Sequence, residues 1–198
     1  MPNQAGQITT NNKGNSLLVV QKKSITFKDL WSNYPSNEIK HINPTTKKDE
    51  FGNHCAINVS HSLYKCGVLL KSFTGAKCWY CPTPNKQNKG VHVIRAQELA
   101  TYLNKKPFAG CPPSIDVTKD FKNSVKGKTG IVFFKDYWQR SNESSRTGDH
   151  IDLWDGNELA SIGFILTWVR TTFPYFSEEN LEMSDLQKSK SILFWEIP

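Results

Sequence analysis

Cys55 stands two residues after Asn53, where a polar loop from Ser36 to Gly52 gives way to a stripe of Ala56, Val59, Ser60, Leu63 and Cys66. The stripe has the spacing of one helix face and Asn53 is a capping residue type, so Cys55 is expected in a first helical turn. That setting suits a nucleophile. A free thiol, with a pKa of about 8.5, is mostly protonated at neutral pH, but the positive end of a helix and a nearby imidazolium both favour the thiolate. The same helix end offers backbone N–H groups, that of Cys55 among them, which suit the oxyanion of a tetrahedral intermediate.

Such a thiolate needs a base, and of the five histidines His150 is the best placed. It opens the alternating run His150-Ile-Asp-Leu-Trp154 directly after a loop containing Gly and Ser. On a strand, His150, Asp152 and Trp154 share one face while Ile151 and Leu153 point to the other, which makes Asp152 a candidate to orient the ring. His41, His54, His61 and His92 are expected on loops or the helix surface. His54 adjoins Cys55, but consecutive helical side chains diverge by about 100°, so it is not expected to be the base. Trp138, in the stretch before His150, reads equally as a wall of a substrate groove or as a packing anchor.

The chain has five cysteines, so at least one is unpaired if the others bridge within it, and Cys55 is the candidate. Cys78-Trp-Tyr-Cys81 has the two-residue spacing of redox and zinc sites. Ordinary unpaired cysteines or a disulfide suit it better than zinc, because a second closely spaced Cys or His pair is missing. The pair is expected to have no catalytic role, and the chemistry of Cys55 and His150 to need no metal or organic cofactor.

The elements that must position these residues come as helices first and strands afterwards. Thr26 can cap a helix carrying Phe27, Leu30, Trp31 and Tyr34 on one face, closed by Pro35. A second helix follows Asn53 and ends at Gly67, and a third covers Ala96 to about Asn104 with Leu99, Tyr102 and Leu103 inward. Cys78 to Lys89 reads as a loop. Strands are expected at Gly130–Lys135, His150–Trp154, ending at the turn signal Asp155-Gly156, and Ile192–Ile197. The fold class is therefore α+β, with the helix bearing Cys55 packed on an antiparallel sheet.

At 198 residues the chain fits a single domain, 24–198, preceded by a polar leader, 1–23, that reads as flexible. It has neither an apolar stretch long enough to span a membrane nor the apolar core of a secretion signal, so no membrane insertion is expected and synthesis is expected in the cytosol. A net charge of +7 suits an anionic partner. The basic residues are scattered as pairs such as Lys22-Lys23, Lys47-Lys48 and Lys105-Lys106, not gathered in a block, so nucleic acid is not the expected one.

Three blocks, Asn53-His-Cys55-Ala-Ile-Asn-Val-Ser60, Gly127-Lys-Thr-Gly-Ile-Val-Phe-Phe134 and Gly148-Asp-His150-Ile-Asp-Leu-Trp154-Asp-Gly156, together resemble the type VI secretion amidase effectors of family four. The opening Phe27-Lys-Asp-Leu-Trp31 and the closing strand from Ile192 to Pro198 resemble that family's ends, so the likeness runs over roughly residues 24 to 198. It implies a papain-like fold of the NlpC type and a peptidoglycan amidase that cuts between D-glutamate and meso-diaminopimelate in the stem peptide. It further implies delivery by the type VI machinery into a target cell's periplasm, and a cognate immunity protein that plugs the groove. Cys55 matches the nucleophile and His150 the base. The third member differs from relatives, which tend to carry an aspartate opposite the histidine on the next strand. If Asp155-Gly156 forms a two-residue turn, Ser161 lies opposite His150 and can hydrogen-bond without supplying charge; Asp152 is the preferred alternative. A protein-directed deamidase, transglutaminase or protease would show the same nucleophile and base, whereas a non-enzymatic basic binding module would need neither.

Overall fold

The computed structural model describes the backbone of residues 5–9, 17–21, 24–82, 90–138, 144–161 and 189–198. In chain order the elements are β1 (Ala5–Thr9), β2 (Leu17–Gln21), α1 (Phe27–Ser32), α2 (Cys55–Lys65), α3 (Ala96–Leu103), β3 (Ile115–Asp116), α4 (Phe121–Val125), β4 (Gly130–Trp138), β5 (Gly148–Trp154) and β6 (Ser191–Glu196). Within the segment expected as a leader, β1 and β2 pair antiparallel as a separate two-stranded sheet. Among the described strands the main sheet runs in the order β3-β6-β4-β5, antiparallel throughout, with β5 outermost on its side.

Thr26 caps α1 through a reciprocal capping box: its hydroxyl accepts from the Asp29 N–H, and the Asp29 carboxylate accepts from the Thr26 N–H. Phe27 and Leu30 are buried, and the Phe27 N–H donates to the Pro198 carbonyl at 2.8 Å, tying the start of the helical half to the end of the chain. Tyr34, expected on the face of this helix, lies beyond its end at Asn33. It is free to point elsewhere.

The predicted stripe understated α2. Residues 55–60, 62 and 63 are all buried, because the helix is enclosed by α1, α3 and β5 and does not rest on one surface. Its interior serines are satisfied. The Ser62 hydroxyl donates to the Leu30 carbonyl at 2.5 Å, and that of Ser60 donates to the Ile57 carbonyl at 3.0 Å while accepting from the Val93 N–H at 2.9 Å. α3 buries Leu99, Tyr102 and Leu103, as its periodicity predicts.

Both faces of the main sheet are covered. Ile131, Phe133, Ile151, Leu153 and Trp195 join α1, α2 and α3 in one apolar cluster, while Val132, Phe134, Trp154, Ile192 and Phe194 join Phe121 and Val125 of α4 in another. This explains why β4 reads as an unbroken apolar run instead of an alternating one. Gly130 lets β4 and β6 approach: a Cβ there would stand 2.0 Å from the Trp195 carbonyl oxygen. Gly130→Ala should therefore lower stability by about 1–3 kcal/mol, the usual cost of overpacking. The measurement is a urea titration, in which the midpoint falls and the slope is unchanged.

Candidate active site

The N-terminus of α2 meets β5 at a cleft of about 270 Å³, lined among others by Tyr34, Asn53, His54, Cys55, Asn58, His150 and Ser161. Cys55 is the first residue of α2 and is buried. His54 occupies the cap position without a side-chain capping bond. Asn53 instead turns its Oδ1 onto the Cys55 N–H at 3.1 Å. This corrects one expectation, because the Cys55 N–H already has an acceptor and does not point unpartnered into the cleft.

His150 and Asp152 stand two residues apart on β5, both buried, and His150 Nε2 lies 3.4 Å from Asp152 Oδ2. That is an ion-pair distance without hydrogen-bond alignment. Cys55 interacts with the same ring. Burial disfavours the imidazolium, but the Asp152 carboxylate and the Cys55 sulfur outweigh it and push the His150 pKa up from 6.5 to about 10. Phe134 and Tyr137 pack around the ring, with centroids at 6.2 and 6.0 Å. Tyr137 is brought there by an irregularity in β4 between Phe134 and Trp138, where Asp136 adopts a left-handed φ of 50° and its N–H donates to Asp149 Oδ1 at 3.0 Å.

Asp152 is fully enclosed, and its charge is met from several sides. The Leu153 N–H donates at 2.8 Å, the Ser161 N–H at 3.1 Å, and the Ser161 hydroxyl donates to the same oxygen that faces His150. Here the turn corrects the counted register. Trp154 pairs with Leu159, not Asn157, because Asp155 Oδ1 accepts from the N–H groups of Asn157 and Glu158 and widens the turn. Ser161 consequently lies beside Asp152 and not opposite His150.

Two polar residues of the cleft were not singled out as site residues in the sequence. The Tyr34 hydroxyl, just past α1, faces Asp152, Asn58 and Cys55; burial first, then the Asp152 charge, holds it protonated well above the usual tyrosine range. Neither it nor Asn58 Oδ1 makes a hydrogen bond to another described residue. Asn58 follows Cys55 by three residues and so shares its helix face, a signal present in the spacing; nothing local marks Tyr34.

Three of the four histidines expected on loops or the helix surface, His41, His54 and His92, lie outside the regular helices and strands but are buried. His54 Nε2 meets Asp49 Oδ2 at 2.9 Å, and Asp49 Oδ1 accepts the His41 N–H at 3.0 Å, so the loop before α2 is clamped beside Cys55. No disulfide joins any two of the five cysteines. Trp138 ends β4 opposite Gly148, and its side chain lies outside the described residues. Among the described residues, no helix is long and apolar enough to cross a membrane.

Since the folded-state pKa of His150 is raised, its stabilising contribution is fully present below about pH 6.5 and is lost as pH rises through about 10. The difference in urea midpoint between wild type and His150→Gln is expected to shrink across that window. A difference that grows instead would contradict a charged ring between Cys55 and Asp152.

A family model described as Type VI secretion system (T6SS), amidase effector protein 4 matches residues 51–195. No curated protein matches the chain. Among solved structures, the crystal structure of the type VI effector Tae4 from Enterobacter cloacae superposes with a TM-score of 0.54 at 17% identity, covering 87% of this chain and 96% of that one. The type VI effector–immunity complex Tae4–Tai4 from Enterobacter cloacae gives a TM-score of 0.51 at 16% identity, covering 87% and 98%. At these identities the structural likeness is one of fold.

Proposed function

Since the chain belongs to the family of type VI secretion amidase effectors, antibacterial peptidoglycan hydrolases, we propose that it is a cysteine amidase of papain-like, NlpC-type fold that cuts the γ-D-glutamyl–meso-diaminopimelate bond. The observation that carries this reading is that Cys55, at a helix start, shares one cleft and interacts with a buried His150 backed by Asp152.

Charged His150 next to Cys55 favours a resting thiolate–imidazolium pair. The thiolate attacks the γ-glutamyl carbonyl carbon, and the electron pair of the C=O bond moves onto oxygen. The Tyr34 hydroxyl, held protonated and facing Cys55, Asn58 and Asp152 in the cleft, is the donor we assign to that oxyanion. As the tetrahedral intermediate collapses, the C–N bond breaks and His150 gives its proton to the departing diaminopimelate amine. A thioester remains on Cys55. The now neutral ring takes a proton from water, whose oxygen displaces the sulfur and releases the D-glutamyl carboxylate. Asp152 is the positioning residue behind His150, and Ser161 holds Asp152.

Residues 24–198 form the catalytic domain in this reading, with 1–23 as its leader, and the net charge of +7 suits an acidic cell wall in the target's periplasm. A cognate immunity protein, like the Tai4 bound to the Enterobacter cloacae effector, is the expected inhibitor, seated over the cleft of Cys55.

Mass spectrometry of diaminopimelate-type stem peptide tests this directly. Wild type should cleave after D-glutamate, while folded Cys55→Ala and His150→Ala should not; no cleavage by folded wild type redirects the search to protein substrates. Asp152→Asn is expected to reduce kcat by up to about 10⁴ where the orienting acid is indispensable. Ser161→Ala, which leaves that carboxylate in place, should cost much less. Equal losses in the two variants would reverse their assignment.

A further inference from the structure

His41, Cys78, Cys81 and His92 come together from three separate stretches of chain beside the loop that leads to Cys55. One donor atom from each, a ring nitrogen or a sulfur, lies within 4.8 Å of all the others. His41 Nε2 is 3.0 Å from His92 Nδ1, and Cys81 Sγ is 3.5 Å from the same nitrogen. A tetrahedral Zn²⁺ with Zn–N near 2.0–2.1 Å and Zn–S near 2.3 Å separates its ligand atoms by about 3.3–3.8 Å. Those two spacings differ from that edge by a few tenths of an ångström at most.

The surroundings orient these atoms as ligands. His41 Nδ1 lies 2.9 Å from the Ile39 carbonyl, which can only accept, so a neutral ring carries its proton there and leaves the Nε2 lone pair toward the cluster. His92 Nε2 has His61 Nδ1 of α2 at 3.0 Å, an outer partner that frees Nδ1 in the same way. Cys78 and Cys81 flank a tight turn in which Tyr80 has a φ of 50°, and the His92 N–H points at Cys78 Sγ from 3.4 Å. The Cys78 N–H donates to the His92 carbonyl at 2.9 Å, and Lys77 pairs with Val93, so the turn and His92 sit on facing strand-like segments. Gly90 allows that approach, since a Cβ there would stand 1.8 Å from the Cys78 carbonyl oxygen. A hydrogen-bonded relay of His61, His92 and His41 could use the same nitrogen contacts without a metal. Two sulfurs converging on the gap between His41 and His92 are what such a relay does not need.

We propose that His41, Cys78, Cys81 and His92 bind a structural Zn²⁺ that fixes the loop leading into the nucleophile helix. Two thiolates and two neutral imidazoles are a borderline-soft donor set suited to zinc, and they fill its four positions without leaving one for water. Binding releases one proton from each thiol to solvent, and the resulting centre has no net charge, as its burial requires. The ion reaches the cleft mechanically. His41 shares Asp49 with His54, the residue before Cys55, and His92 contacts His61 two turns along the same helix.

The test is metal analysis of protein isolated from the cytosol under reducing conditions without chelator, then incubated with excess Zn²⁺ and desalted. Wild type and Cys55→Ala should both hold about one zinc per chain, so the outcome is independent of whether Cys55 cuts the proposed bond. His41→Gln and Cys81→Ser should hold zinc at least about tenfold more weakly. Should those variants fail to fold, wild type still decides: Co²⁺ alone should give thiolate-to-cobalt charge-transfer absorption with tetrahedral ligand-field bands. Removing zinc with a chelator should lower Tm, and Zn²⁺ should restore it. Less than about a tenth of an equivalent of zinc, undiminished binding in the variants, or a Cys78–Cys81 disulfide in the freshly isolated protein would overturn the proposal.

Discussion

Burying an imidazole, a carboxylate and a thiol side by side costs desolvation energy unless each charge has a partner, and the two halves of this fold are arranged around meeting that cost. α2 supplies Cys55 at its first residue, and β5 supplies His150 and Asp152. The helix can press its end against β5 because it is itself buried on nearly every side, and β5 can carry polar groups inward because the Asp155 turn returns Ser161 to the Asp152 carboxylate. Remove any one of these supports and a charge is left in a dry site without its counterpart.

The same reasoning links the cleft to its rim. The loop before α2 has little regular structure, yet it must place Asn53 and His54 at the helix start. It does so through Asp49, which accepts from the His41 and Phe51 N–H groups and meets His54, and through Glu50, which accepts from Trp79 Nε1 at 2.9 Å. Burial raises the Asp49 pKa, but the His41 and Phe51 N–H groups and His54 outweigh it and hold the carboxyl below the ordinary carboxylate range. Phe51 packs edge-on against Trp79, with centroids 4.7 Å apart. The loop is therefore pinned to the Cys78–Cys81 turn, and the order of the surroundings of Cys55 depends on a cluster of side chains remote in sequence.

Local patterns were legible where an interaction spans only a few residues. Thr26 before Phe27 and Leu30 announced α1, the periodicity of α3 announced its buried face, and Cys55 after Asn53 announced a cysteine at a helix start. The alternation of β5 likewise put Asp152 on the side of His150 without reference to any other strand. Register across the following turn was not legible in that way, because Asp155 accepts two N–H groups and lengthens the turn beyond the pair that Asp-Gly suggests. That difference moved Ser161 from His150 to Asp152.

The sequence by itself therefore determined α1, α2 and α3, the places of β4, β5 and β6, the α+β class, and the residue types able to perform thiolate chemistry, all of which follow from backbone periodicity and capping over short separations. Only the tertiary structure decided which groups share a site. It turned Tyr34 from an expected helix face into the cleft, buried His41 and His92 against each other although 51 residues separate them, and set both beside Cys78 and Cys81. Such contacts depend on how helices and loops close over one another in three dimensions, and no spacing along a single segment encodes that closure.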